Sequence, residues 1–152
     1  MPDHLKIASE ADMASLAFSC AAVLKPGDVI ALSGDLGAGK TSFARGLIRG
    51  LGWPGEVPSP TYTLVQSYDP PEVRIPVWHV DLYRLEVPDD ADALGLFETD
   101  AALLIEWPER LGARVPKEAL RLHISGSGDA VRHLTWEAPK GWEGRWPPHL
   151  PK

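Results

Sequence analysis

The chain has 152 residues, of which 44% are hydrophobic, with a formal net charge of −6 and a sequence pI of about 5.3. This length suits one domain with its own core. The acidic balance argues against autonomous binding of DNA or RNA, because neutralising phosphates supplies most of that affinity. A single cysteine, Cys20, excludes an internal disulfide, and no apolar run of about 18 residues is present to span a bilayer. We therefore expect a cytoplasmic protein that does not associate with membranes.

The first elements are a short strand and a helix. Leu5 and Ile7 alternate with polar residues, which suggests an edge strand. The segment Ser9 to Asp12 resembles a capping box, with Asp in place of the usual Glu. Apolar residues then recur at helical spacing, which predicts a helix from about residue 10 to residue 24 with Cys20 in the core.

The next segment carries the clearest motif of the chain. Residues 29–32, Val-Ile-Ala-Leu, suit a strand buried on both faces. Residues 34–41, GDLGAGKT, fit the phosphate-loop template G-x-x-x-x-G-K-[ST] at every required position. A helical apolar pattern follows, consisting of Phe43, Ala44, Leu47, Ile48 and Leu51. A strand, a glycine loop and a helix in this order favour nucleotide binding over a glycine-rich turn that carries Lys-Thr by chance.

The residue types of this loop match the chemistry of a phosphate site. Its glycines let the backbone N–H groups wrap a phosphate, and the helix adds the positive end of its dipole. Lys40 supplies a cation for the β- and γ-phosphates, and the Thr41 hydroxyl is suited to ligate Mg²⁺. The predicted nucleotide-binding residues are Gly34, Asp35, Leu36, Gly37, Ala38, Gly39, Lys40, Thr41 and Ser42.

A loop and a strand follow the phosphate-loop helix. Residues 53–60 are too rich in proline and glycine for regular structure, and residues 61–68 alternate as a strand does. Ser59, Thr61 and Thr63 offer hydroxyls that could meet a γ-phosphate or Mg²⁺ as a switch loop would. Hydrogen bonds from these hydroxyls to their own backbone are an equally good interpretation.

The segment 74–81 predicts a further strand, with Pro76 indicating an edge position or a bulge. The strand ends in Asp81, and a carboxylate at a strand end is what a Mg-nucleotide site needs opposite the phosphate loop. His79 lies two residues earlier and therefore on the same face. The simpler interpretation of His79 is a buried histidine bonded to a neighbour.

The segment 101–106 is an apolar run that ends in Glu106, the pattern of a Walker B strand whose carboxylate holds Mg²⁺. It comes about 65 residues after Lys40, which fits a parallel sheet built by crossovers. Asp81 and Glu106 therefore compete for the roles of metal ligand and water-positioning group. The apolar context favours Glu106 as the nearer Mg²⁺ partner, but spacing alone does not decide.

The last third of the chain predicts a β-hairpin and a tail. Residues 119–125 and 131–137 alternate cleanly around a glycine-rich turn. The histidines His123 and His133 are in the polar phase of these strands, so we expect them to be solvated. Residues 139–152 form a tail rich in Trp and Pro without periodicity, which either drapes over the domain or lacks order. The predicted organisation is a domain at 1–138 followed by this tail.

Four stretches stand out in order along the chain: GDLGAGKTSFARGL at 34–47, SPTYTLV at 59–65, HVDLYRL at 79–85 and IEWPER at 105–110. Together they resemble the TsaE family (older name YjeE), which comprises small bacterial ATPases required for threonylcarbamoyladenosine formation on tRNA. The resemblance runs from about residue 10 to the hairpin near residue 137. It implies an α/β fold of the P-loop NTPase type, with a mainly parallel central sheet flanked by helices and a C-terminal antiparallel hairpin.

The resemblance also implies an activity and partners. The family hydrolyses ATP with Mg²⁺ and works with two proteins, TsaB and TsaD, of which TsaD transfers the carbamoyl group to adenosine 37 of tRNAs that read ANN codons. The ATPase is thought to reset that complex between turnovers, so tRNA would be met only indirectly, and no DNA or membrane partner is implied.

Carried over to this sequence, the resemblance assigns roles to individual residues. Residues 34–41 match the ATP phosphate site, and Thr41 and Glu106 match the Mg²⁺ ligands. Asp81 matches an acid needed for activity, Thr61 matches the threonine of a switch-like loop, and Arg132 matches a nucleotide-proximal position. The candidate catalytic residues are Lys40, Thr61, Asp81 and Glu106. The family often has Thr where Ser42 stands, and the tail after residue 139 has no family counterpart.

The expected function is an Mg-dependent ATP hydrolase, weak alone and dependent on partners, because the sequence offers no obvious arginine finger. One alternative is a small P-loop nucleoside or metabolite kinase, which would need an acceptor pocket and arginines near the transferred phosphate. Another is a nucleotide-gated binding module with little hydrolysis.

Overall fold

The computed structural model describes residues 4–34, 39–58, 64–126 and 131–148. The strands are β1 His4–Ile7, β2 Val29–Gly34, β3 Val65–Tyr68, β4 Val77–Asp81, β5 Ala102–Glu106, β6 Leu120–Ser125 and β7 Arg132–Glu137. The helices are α1 Glu10–Ala21 and α2 Lys40–Gly50, and short 3-10 segments cover Pro88–Leu94, Pro108–Arg114 and Lys140–Trp142. None of the helices within the described ranges has the length and apolarity needed to cross a membrane.

The seven strands form one mixed sheet in the order β1-β7-β6-β2-β5-β4-β3. Its centre is parallel, since β2 pairs with both β5 and β6 and β4 pairs with β5. The outer pairs, β3 with β4, β6 with β7 and β1 with β7, are antiparallel. The predicted α/β fold with a mainly parallel central sheet is confirmed, and the predicted hairpin β6–β7 extends this same sheet.

One strand position differs from the prediction. The edge position or bulge expected from Pro76 is wrong, because β4 lies inside the sheet between β5 and β3. Pro76 precedes the first residue of the strand, so its missing N–H removes no bond from the ladder. Its carbonyl oxygen accepts the N–H of Ala102 at 3.0 Å. The edges are formed by β1, as the alternation of Leu5 and Ile7 predicted, and by β3.

Helix α1 begins as predicted and ends three residues early. The Ser9 side chain accepts the N–H of Asp12 at 3.1 Å, which caps the first turn. The last turn is held by Arg74, whose guanidinium donates to the carbonyl oxygens of Ala21 at 2.6 Å and Leu24 at 3.0 Å. Cys20 is buried in this helix, and burial together with the nearby Asp28 carboxylate raises its thiol pKa to about 12.

Helices α1 and α2 pack against each other on one face of the sheet at very short range. A Cβ added at Gly46 would lie 2.6 Å from the carbonyl oxygen of Ala14, so only glycine allows this approach without a shift. The opposite face of the sheet is covered by the segment that follows β4 and by the 3-10 segments Pro88–Leu94 and Pro108–Arg114, with Leu85, Leu96 and Leu111 in the core. The α1–α2 packing therefore helps to fix the position of the first turn of α2 beside the carboxyl end of β2.

The described part of the tail packs onto the domain. Trp142 and Trp146 are buried in the same core cluster as α1 and α2. The Arg145 guanidinium forms an ion pair with Asp28 at 2.6 Å and lies 4.2 Å from the centre of the Trp142 ring. Of the two alternatives for the tail, residues 139–148 adopt the draped one, and the boundary after residue 138 stays a prediction.

Candidate functional site

The strand β2 ends at the predicted phosphate loop. Gly34 has a φ of +145°, and a Cβ there would collide with the backbone of Ile124 in β6. The loop returns at Gly39, whose φ of +114° lies in the left-handed region that favours glycine. Four of the predicted nucleotide-binding residues, Asp35, Leu36, Gly37 and Ala38, lie outside the described residues, as does Thr61.

Helix α2 begins directly at the end of this loop. Its first turn contains Lys40, Thr41 and Ser42 and no acidic residue. No carboxylate of this turn therefore offsets the positive end of the helix dipole, which its unpaired N–H groups form. The Lys40 side chain is unusual because the residue is only 4% exposed. Its ammonium donates to the carbonyl oxygen of Gly34 and lies 3.5 Å from the centre of the Trp107 ring. A buried cation thus stands at the amino end of α2.

Two carboxylates lie beside this cation at the ends of neighbouring strands. Asp81 ends β4 and Glu106 ends β5, and the parallel register pairs them directly. Glu106 is buried, with 2% of its surface exposed. Its Oε1 accepts the Thr41 hydroxyl at 3.4 Å, at the long end of a hydrogen bond, and its Oε2 lies 2.6 Å from Nε2 of His79. The predicted proximity of Thr41 and Glu106 is therefore present.

Asp81 occupies a more open position than Glu106. Its Oδ1 accepts the backbone N–H of Tyr83 at 3.0 Å. Partial burial raises the pKa of Asp81 above its usual value, the negative charge of Glu106 acts in the same direction, and the Tyr83 hydrogen bond opposes them. The two acids therefore differ in environment: Glu106 contacts the first turn of α2, and Asp81 faces the edge of the site.

Two residues to which the sequence pattern assigned no role in the site, His79 and Trp107, contact the acid and the cation of the site. His79 is a buried histidine bonded to a neighbour, as the simpler interpretation held, but that neighbour is Glu106. Trp107 follows Glu106 with a φ of +63°, a left-handed conformation that is uncommon for a residue with a Cβ. This backbone turn places its ring against Lys40 and, at 5.1 Å between ring centres, against Tyr83. In the sequence, the only indication that Trp107 belongs to the site is its position directly after the Walker B-like acid Glu106.

Ser42 points away from this cluster. Its hydroxyl donates to Oε1 of Glu10 at 2.8 Å, which links the first turns of α2 and α1. The two residues line a groove of about 340 Å³ that continues along α2 past Arg45 and Arg49 to the loop before residue 58. Arg132 begins β7, and its predicted proximity to a nucleotide stays a prediction.

A glycine loop between a central parallel strand and a helix, with acids at the ends of the next two parallel strands of the sheet, defines the mixed α/β fold of the P-loop proteins. The family model for the threonylcarbamoyl adenosine biosynthesis protein TsaE matches residues 7–134. The chain belongs to the TsaE family.

Individual relatives agree with the family match. The chain is 41% identical over 121 residues to the tRNA threonylcarbamoyladenosine biosynthesis protein TsaE of Bacillus subtilis, covering 78% of this chain and 74% of that protein. It is 37% identical over 131 residues to the protein of the same name from Streptomyces coelicolor, covering 81% and 88%. The crystal structure of YdiB from Bacillus subtilis superposes with a TM-score of 0.77 at 30% identity, covering 93% of this chain and 89% of that one.

Proposed function

We propose that this protein is an Mg²⁺-dependent ATP hydrolase that supports threonylcarbamoyladenosine modification of adenosine 37 in tRNAs reading ANN codons, together with TsaB-like and TsaD-like partners. The observation that carries the proposal is the meeting of Lys40, Thr41 and Glu106 at the amino end of α2. Membership in a family named for this modification supports its biological setting.

The phosphates of ATP would bind at the first turn of α2. The backbone N–H groups there have no intrahelical acceptors, and no acidic side chain of that turn competes for them. Lys40 is held within the site by the Gly34 carbonyl oxygen and the Trp107 ring, neither of which carries the negative charge of a phosphate. It would exchange them for the β- and γ-phosphates.

The donor set of the site fits Mg²⁺. This ion prefers oxygen ligands, and in nucleotide sites it is held by one or two protein side chains together with phosphates and waters. Thr41 Oγ1 and Glu106 Oε1 are such a pair, and the long contact between them leaves both oxygens weakly committed. Among the described residues no cluster of three or more metal-binding side chains occurs, which suits an ion brought with the nucleotide. Bound there, the ion would neutralise the charge that develops on the phosphates.

The reaction would be an in-line attack of water on the γ-phosphate. Glu106 would hold the metal side of the site, because it contacts Thr41. Asp81, the more exposed of the two acids, would position the attacking water. Its partial burial raises the pKa of its carboxyl group, which makes it a better proton acceptor than an ordinary aspartate. Lys40 would stabilise the transferred phosphoryl group.

The net charge of −6 supports contact with tRNA through partners and not through this chain alone. The direct test is phosphate release from ATP by the purified protein, first alone and then with the TsaB-like and TsaD-like proteins and tRNA. We expect slow release alone and stimulation by the partners, with modified adenosine formed in the complete mixture. Stoichiometric phosphorylation of a small acceptor would instead indicate a kinase, and ATP binding without stimulated release would indicate a nucleotide-gated module; either result refutes the proposal.

A further inference from the structure

The contact between His79 and Glu106 is buried and short. His79 lies in the middle of β4 with none of its surface exposed, and its Nε2 is 2.6 Å from Oε2 of Glu106. The register of β4 and β5 sets Asp81 opposite Glu106, and His79, two residues before Asp81, shares its face of the sheet. The histidine therefore reaches diagonally across the two strands to the acid.

The contact has a defined direction. A carboxylate oxygen only accepts hydrogen bonds, so the ring nitrogen that faces it must carry a proton. Nε2 of His79 is consequently the donor and Oε2 of Glu106 the acceptor. The second oxygen, Oε1, is then the one that faces the Thr41 hydroxyl. The short contact with His79, and not the long contact with Thr41, is therefore the one that orients the carboxylate.

The other ring nitrogen of His79 indicates that the residue is more than core filling. Within the described part of the chain, Nδ1 is buried without a hydrogen-bond partner. A buried polar atom without a partner destabilises a fold, and an apolar side chain of similar size would fill the same space without that penalty. The benefit of a histidine at this position therefore lies in its Nε2 bond to Glu106.

We propose that His79 is a positioning residue that holds Glu106 with Oε1 directed at the Mg²⁺ position beside Thr41, an inference that rests on the proposed function. Without this bond, one oxygen of the buried carboxylate would lack a donor, and the side chain would turn toward another donor. This rotation removes Oε1 from the metal position. Replacing a residue that hydrogen-bonds to a metal ligand typically lowers the affinity for the metal about 10- to 100-fold.

The test compares two variants with a matched control. His79→Phe keeps a ring but removes the donor, and His79→Gln restores an N–H that reaches toward Glu106. His133→Phe, at an exposed position on β7, is the control. Binding of a non-hydrolysable ATP analogue is measured by calorimetry in EDTA and across a MgCl₂ titration, and thermal unfolding of each variant is recorded.

We expect His79→Phe to bind the analogue in EDTA within about twofold of the wild type and to need about 10- to 100-fold more Mg²⁺ for the same enhancement. His79→Gln should recover most of the loss, and His133→Phe should match the wild type. A folded His79→Phe protein with a wild-type Mg²⁺ titration overturns the inference while leaving the proposed function intact. A wild-type protein that binds no Mg-nucleotide overturns both.

A measurement on the wild type keeps the inference testable if His79→Phe does not fold. Long-range ¹H–¹⁵N NMR correlations report which nitrogen of a histidine ring carries the proton. We expect a proton on Nε2 of His79, shifted downfield by the bond to Glu106. An unprotonated Nε2 would overturn the donor role whatever the protein does with nucleotides.

Discussion

The substitution Glu106→Gln isolates the charge of the acid that ends β5. It keeps the shape of the side chain and replaces one carboxylate oxygen with an NH₂ group, which donates and cannot accept a hydrogen bond. That NH₂ faces either Nε2 of His79, which then loses its acceptor, or the Thr41 hydroxyl, which can turn and accept, so the loss of stability is at most about 1–3 kcal/mol. Removal of a buried charge offsets part of this.

The expected effect on hydrolysis is larger than the effect on folding. Removing one preorganised group that stabilises transition-state charge slows an enzyme about 10²- to 10³-fold. We therefore expect Mg-dependent phosphate release, measured with the partner proteins present, to fall by this factor. Binding of ATP in EDTA should be nearly unchanged, because Lys40 and the amino end of α2 are not altered.

The matched control is Glu137→Gln, which changes an exposed glutamate at the end of β7 and should leave the rate and the unfolding temperature unchanged. Two results would refute the reasoning. Wild-type phosphate release by folded Glu106→Gln would mean that Glu106 does not hold the metal. An equal loss of ATP binding with and without Mg²⁺ would mean that the substitution damages the site generally.

Three further substitutions, two of them with a matched control substitution, test other parts of the structure. Burial raises the pKa of Asp81, so its ionised form opposes folding. Asp81→Asn should therefore raise the unfolding temperature at pH 7 while slowing hydrolysis. In thermal scans the difference in unfolding temperature from the wild type should close as the pH falls through a pKa above the usual 3.8. Gly46→Ala should lower the free energy of unfolding in urea by about 1–3 kcal/mol, because its Cβ would press on α1. The control Gly141→Ala, with nothing within 4 Å of the added Cβ, should change it by less than about 0.5 kcal/mol. Equal effects of the two substitutions would contradict the packing of α1 against α2. Trp142→Ala should cost about 3–5 kcal/mol and Phe97→Ala, at a residue that is 46% exposed, less than about 1 kcal/mol in the same assay, and a harmless Trp142→Ala would mean that the tail does not support the core.

Local patterns predicted much of the framework. The apolar run of β2, the glycine template and the helical spacing of α2 are features of adjacent residues, so they can be recognised without knowing the rest of the fold. The same holds for the cap at Ser9. The position of β4 could not be predicted in this way, because Pro76 indicates only that its own N–H is missing and does not reveal which strands lie on either side.

The internal contacts of the site depend on the tertiary structure. The bond from His79 to Glu106 joins residues 27 positions apart and requires the parallel register of β4 and β5. The contact of Trp107 with Lys40 depends on a left-handed backbone turn that no sequence pattern predicts for tryptophan. Burial of Trp142 lacks a periodic signal because the tail is irregular and is held by side chains of distant segments.

The central claim is that the amino end of α2 forms a Mg-ATP site with Lys40 as its cation. Calorimetric titration of ATP in MgCl₂ into the wild type, Lys40→Met and the exposed-lysine control Lys140→Met tests it most directly. A lost charge-assisted bond to phosphate is worth about 1.5–3 kcal/mol, which corresponds to a roughly 10- to 150-fold loss of affinity. We predict one ATP per chain for the wild type and the control, and a loss of this size for a folded Lys40→Met. Equal affinity of Lys40→Met and the wild type would contradict the account.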